Sequence, residues 1–176
     1  AARAEARHGR HTGRLLGERY RVAEIIGRGG MGEVYQARDE RAGRDCAVKV
    51  LHPHLVGETT SLQRFHREAQ VAGKLGSPYI VETYDTGTTE EGLPYIVLEL
   101  LAGEDLAQRL RRTGPMTPAE LVPLARQIAD GLGRAHRAGI VHRDLKPQNL
   151  FLVGPADAPV AKILDFGVCK IRGDVE

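Results

Sequence analysis

Residues Ile140–Asn149 read IVHRDLKPQN and crowd a histidine, an arginine, an aspartate, a lysine and an asparagine into one short stretch. A carboxylate at Asp144 can orient a hydroxyl, a cation at Lys146 can meet developing negative charge, and Asn149 can give oxygen to a hard cation. Phosphoryl transfer asks for that set. Just upstream, 117–139 read TPAELVPLARQIADGLGRAHRAG. Leu121, Leu124, Ile128, Leu132 and Ala135 recur there at helical spacing. Thr117 with Glu120 forms a capping box, and Pro118 suits the first turn. Pro123 falls early in this helix, where a missing N–H is tolerated or bends the helix slightly.

Further towards the N-terminus the pattern changes to short β-branched runs: YRVAEIIG, GEVYQARD, RDCAVKVL, YIVETYDTG and LPYIVLEL, separated by glycine-containing gaps. They predict five antiparallel strands. Between the third and fourth, SLQRFHREAQVAGKLG sets Leu62, Phe65, Ala69 and Ala72 at helical spacing and stops at Gly76, which predicts one amphipathic helix over 61–75. EDLAQRLRRTG, beginning at Glu104, is helical too. The organisation is a mostly β lobe followed by a mostly α lobe.

Gly27–Val34, GRGGMGEV, fits G-x-G-x-x-G-x-V between two strands. The dinucleotide-binding form of the motif needs a helix directly after the glycines, and EVYQAR favours a strand, so Asp45 is not read as a ribose ligand. A glycine turn between antiparallel strands lets backbone N–H groups approach phosphates with no Cβ in the way. Taken alone it leaves a plain hairpin as the lesser alternative. It is followed, however, by Lys49 in AVK, by Glu68 on the isolated helix, and by Asp165 in LDFG. A lysine held by a carboxylate can present its ammonium to phosphate oxygens.

Other classes of function fit less well. The 176 residues carry a formal charge of +2, far from the concentrated basic face of a nucleic-acid binder. Cys46 and Cys169 make neither a disulfide framework nor a zinc spacing, which suits a reducing, cytoplasmic setting. The apolar runs are short and interrupted, so no membrane-spanning segment is expected within the chain, with a downstream anchor left open. Residues 1–16, with Arg3, Arg7, Arg10 and Arg14, read as a flexible basic extension. His52, His54 and His66 read as surface or packing residues, and Cys169 as an inert small residue.

In their order along the chain, G-x-G-x-x-G-x-V, A-V-K, H-R-D-L-K-P-x-N and D-F-G resemble a protein kinase from about Tyr20 to Gly167. The lysine in DLKPQN is the serine/threonine form, and GRGGMGEVY with GIVHRDLKPQN is similar to bacterial Hanks-type kinases. The resemblance implies a two-lobed α+β fold, with an N-lobe at 17–101 of five antiparallel strands and one helix. The mainly helical C-lobe, 102–176, is incomplete. It implies ATP and Mg2+, with a protein serine or threonine hydroxyl as acceptor, in signalling by protein phosphorylation. Ile26, Gly27, Gly29, Gly30 and Gly32 would cover the nucleotide, and Lys49, paired with Glu68, would contact its α and β phosphates. Asp144 would be the catalytic base and Lys146 would contact the transferred phosphate. Asn149 and Asp165 would hold magnesium. Leu98 would be the gatekeeper. The backbone of Glu99 and Leu101 would bond adenine, with Val34 and Ala47 above it and Phe151 below. Asp105 would reach the ribose or cap the next helix, and His142 and Phe166 would be packed structural residues.

The chain stops at DFGVCKIRGDVE, before the A-P-E motif and later helices that the resemblance implies. Two readings follow: an active serine/threonine kinase represented by its front part, or a catalytically inactive nucleotide-binding or interaction module derived from one.

Overall fold

The computed structural model describes residues 8–57, 60, 62, 63, 65, 75–165, 170 and 171. Two compact units contain them: the chain up to Phe65 with Thr83–Leu100, and His66–Glu82 with the chain from Leu101 onward.

In the first unit the described residues form one antiparallel sheet, from β1 (Leu15–Leu16), β2 (Tyr20–Arg28), β3 (Gly32–Asp39), β4 (Arg44–Leu51), β5 (Thr83–Thr88) and β6 (Pro94–Glu99), in the order β1-β2-β3-β4-β6-β5. The sheet has six strands where the sequence suggests five. The extra one is β1, whose Leu15 and Leu16 pair with Arg21 and Tyr20 and are too few to show a period. Tyr20, Val22, Tyr35, Ala37, Cys46, Val48, Val50, Tyr95 and Val97 pack together on one face. In β4 and β6 the buried run is continuous because these central strands are covered on both faces.

The extension expected at 1–16 is held against the sheet from residue 8 onward. Gly13 N donates to Val22 O and Val22 N to Arg14 O, while Arg10 and Arg14 each pair with Glu91. Leu16 and His11 are buried. Charge composition alone could not show this, because Arg10 and Arg14 have their carboxylate partner, Glu91, on the β5–β6 connection.

The strand expected from Tyr79 begins only at Thr83. Ile80 instead bridges to Ile163, with Ile163 N donating to Tyr79 O and Val81 N to Ile163 O, so these residues belong to the second unit. Of the helix expected at 61–75, Leu62, Gln63, Phe65 and Leu75 are helical and Phe65 is buried. Ala69 and Ala72 lie outside the described residues. Gly76 takes φ +50, a left-handed stop beyond Leu75.

In the second unit, β7 (Gly103–Asp105) leads into α1 (Leu106–Thr113) and α2 (Pro118–Arg137). The capping box read from Thr117 and Glu120 is made in both directions, and Pro123 is accommodated within a continuous helix. Leu124 and Ala135 are buried as expected, but Leu121 is 48% exposed among the described residues. It sits in the first turn, and Gly131 takes a buried place on the helix instead. The approach is close there, since a Cβ would stand 2.9 Å from Ile163 Cδ1 and 3.3 Å from Tyr79 O, and those neighbours would have to shift. Beyond α2 come β8 (Ile140–Val141), β9 (Leu150–Val153), β10 (Val160–Ile163) and β11 (Lys170–Ile171), forming sheets β10-β9-β7 and β11-β8. Leu75, Ile80, Ala135, Ile140, Leu150 and Ile163 form the core under them. Among the described residues no helix is long and apolar enough to cross a membrane.

Candidate functional site

The residues singled out by sequence fall into two groups, one in each unit. In the first unit, β2 and β3 enclose the glycine loop. Gly27 pairs with Val34 and Arg28 with Glu33, and Gly29 N closes the turn on Gly32 O at 2.9 Å. Gly32 pairs with Leu51, where a Cβ would meet Val50 O at 2.1 Å, so the strand can pass only with hydrogen there. Gly29, Gly30 and Ile26 are exposed, leaving the loop tip open to a ligand.

Register places Val34 opposite Lys49 and Lys49 opposite Ile96, while Ala47 faces Leu98. Directly paired residues share a face, so Val34, Ala47, Lys49, Ile96 and Leu98 line the side opposite the Tyr35–Val48–Val97 core. Lys49 is 9% exposed, an unusual depth for an ammonium. Glu68, its expected partner, lies outside the described residues. Glu99 ends β6 half-buried, opposite Cys46.

In the second unit the loop between β8 and β9 gathers its polar groups around Asp144. Lys146 Nζ donates to Asp144 Oδ2 at 2.6 Å, and Asn149 Nδ2 donates to Oδ2 at 3.1 Å and to the Asp144 carbonyl at 2.8 Å. The bond from Lys146 is the largest influence holding the Asp144 carboxyl below its ordinary value, with a smaller contribution from Asn149. Asp144 thus stays an ionised acceptor. Asn149 is buried, and with its Nδ2 committed to two acceptors its amide oxygen is its remaining polar group.

His142 braces the same loop. Its Nε2 donates to Leu164 O at 2.8 Å, and its Nδ1 accepts from Asp144 N at 3.3 Å. Those bonds fix the tautomer and give the ring a structural task. Leu164 N in turn donates to Asn149 O, which sets Asp165, the next residue, beside the loop. Arg143 and Asp165 have φ +64 and +56, two non-glycine residues in the left-handed region within this cluster. Such strain concentrates at functional sites and has no reliable sequence signal.

Asp105 accepts from Gln108 N at 2.8 Å, so its helix cap is made. Phe151, half-buried on β9, is paired with Asp105 and Lys162, and Leu101 is half-buried. Phe166 and Cys169 lie outside the described residues. Among the described residues no group of three or more His, Cys, Asp or Glu could hold a metal alone. Asn149 Oδ1 and the Asp165 carboxylate are hard oxygen donors, too few for an all-protein cage but suited to magnesium that also takes phosphate oxygens and water.

A family model described as "Protein kinase domain" matches residues 20–174. The chain belongs to the protein kinase family. This kinase-family chain is 38% identical over 167 residues to serine/threonine-protein kinase pkn3 of Myxococcus xanthus, covering 94% of this chain and 30% of that protein. It is 42% identical over 164 residues to a probable serine/threonine-protein kinase of Streptomyces coelicolor, covering 92% and 24%. It is 41% identical over 162 residues to serine/threonine-protein kinase PknB of Mycobacterium tuberculosis, covering 90% and 25%. The chain thus spans about a quarter to three-tenths of the length of these relatives.

Proposed function

We propose that the protein is an ATP-dependent serine/threonine kinase in which Asp144 is the catalytic base. The observation that carries this reading is the convergence of Lys146 and Asn149 on Asp144 Oδ2, in a loop held by the bonds of His142 and Leu164. An acceptor kept ionised by its neighbours, yet 41% exposed in its side chain, is suited to receive a hydroxyl proton.

In this mechanism the serine or threonine hydroxyl of a protein substrate donates a hydrogen bond to Asp144. Its oxygen attacks the γ phosphorus of ATP, the bond to the β–γ bridging oxygen breaks, ADP leaves, and the hydroxyl proton passes to Asp144. Lys146 meets charge on the transferred group. Gly27, Gly29, Gly30 and Gly32 offer backbone N–H groups to the phosphates, and Lys49, for which Glu68 is the proposed partner, meets the α and β phosphates. By the kinase resemblance Ile26, Val34, Ala47, Leu101 and Phe151 would enclose the base, with the backbone of Glu99 and Leu101 supplying its hydrogen bonds. Asp105 combines its cap with a ribose contact. Asn149 and Asp165 would hold magnesium, which supplies charge neutralisation on the phosphates when bound.

Transfer of labelled phosphate from ATP to serine- and threonine-containing peptides, with magnesium and with EDTA, tests the reading. Magnesium-dependent phosphoserine or phosphothreonine is expected, and Asp144→Asn should slow it by about 10²- to 10⁴-fold. Nucleotide binding without transfer in any length of the natural protein would support an inactive module instead.

A further inference from the structure

His52 is one residue past β4, and both its backbone and its ring are turned to the glycine loop. His52 N donates to Met31 O at 3.0 Å, and its Nε2 lies 3.0 Å from Gly29 O. A carbonyl oxygen can only accept, so the ring proton of this bond is on Nε2. One face of the ring is covered, and the turn that follows it is anchored in the core. His54 stacks on it with centroids 5.4 Å apart and planes 18° apart, Pro53 opens the one-turn helix Pro53–Leu55, and Leu55 is buried.

We infer that His52 is a positioning residue that sets the orientation of the Gly29–Gly30 peptide for phosphate binding. The peptide unit is planar and trans, so its carbonyl oxygen and the following N–H point to opposite sides. With the Gly29 oxygen turned to the His52 ring, the Gly30 N–H is turned away from it, as a donor for an anion at the loop tip. Gly29 and Gly30 are exposed, and among the described residues nothing lies within 4 Å of a Cβ built on Gly30. Two consecutive glycines in open solvent would otherwise allow that peptide to flip and turn its oxygen to the phosphate. The ring bond opposes the flip and lowers the ordering cost of binding. This inference rests on the nucleotide reading of the loop, and it concerns a side chain outside the glycine motif.

The test uses this chain with His52→Ala, His52→Gln, which keeps an N–H donor near the Nε2 position, and His54→Ala. Affinities for adenosine and for magnesium-ATP are measured by calorimetry, and amide exchange of the Gly29–Gly32 segment is followed without nucleotide. Loss of one neutral hydrogen bond predicts magnesium-ATP binding weakened about two- to tenfold in His52→Ala, with adenosine affinity unchanged. Exchange in the loop should quicken, and His52→Gln should restore both. Equal loss of adenosine and ATP affinity, unaltered loop exchange, or failure of His52→Gln where His54→Ala has the same effect as His52→Ala would overturn the inference. A parent protein that binds neither ligand refutes the nucleotide reading and this inference with it. Parent binding with unaltered His52→Ala affinity refutes the inference alone.

Discussion

Lys146 Nζ and Asp144 Oδ2 stand 2.6 Å apart, and that pair is the largest influence keeping the Asp144 carboxyl below its ordinary range. A base with a depressed value remains ionised to lower pH, so the acid limb of the rate profile should lie below that of an unpaired aspartate. Lys146→Ala should move the limb to higher pH as well as slow transfer. Asp144→Asn should cost about 10²- to 10⁴-fold in rate with little change in ATP affinity. Rate–pH profiles and nucleotide titrations of the natural protein check both, and an unmoved acid limb in Lys146→Ala would contradict the pairing.

Lys49 is buried on the sheet face shared by Val34, Ala47 and Leu98, where an ammonium needs a partner. Should Glu68 hold it in the working enzyme, Lys49→Met and Glu68→Gln will impair the same step. The double variant would then be little worse than either alone, because the pair acts as one unit. Strictly additive losses in kcat/KM would show two independent roles.

Asp39 is the structural counterpart in the first unit. Its carboxylate is 2% exposed and accepts from Arg19 Nε and Nη2, both at 2.9 Å, and from Ala42 N and Arg41 N. The Arg19 bond is the first cause holding its pKa down to about 2. Because the folded value is depressed, this stabilisation is present above the ordinary value of 3.8 and is lost as pH falls from there towards about 2. Asp39→Ala should lower stability by about 1–3 kcal/mol at pH 7. The difference from the parent should shrink across that acid window, as urea melts would show.

His11 behaves in the opposite chemical class but with the same direction of pH response. Its ring is buried edge-on against Tyr35, with centroids 5.7 Å apart, and its Nδ1 is buried without a hydrogen-bond partner among the described residues. Burial first, then Arg14, pushes its pKa below the ordinary 6.5, against weaker opposing effects of Glu91 and Glu33. The unfolded chain therefore takes up the proton first, and stability falls as pH drops below about 6.5 until the folded ring also protonates. His11→Phe keeps an aromatic edge on Tyr35 and removes the titration. Its melting temperature should fall less than the parent's between pH 7 and pH 5, and an identical fall would show that His11 carries none of the pH dependence.

Residue type and spacing along the chain determined the family, the order of its motifs, five of the six strands of the first unit's sheet, the 117–138 helix with its capping box, and the likeness of 140–149 to a phosphoryl-transfer loop. Those features are local: a glycine run, a period, or a cap three residues from its partner. Tertiary structure alone decided the rest. Residues 8–16 lie on the sheet because Arg10 and Arg14 find Glu91 across the fold and Val22 bonds their backbone. Ile80 leaves the strand pattern because Ile163 offers it a bridge and a core. His52 reaches Gly29, 23 residues away, only because β3 and β4 pair in the register that brings Gly32 against Leu51. A one-dimensional pattern records which surface a residue can bury, but the partner that buries it or completes its hydrogen bond is chosen by pairing register and chain crossing.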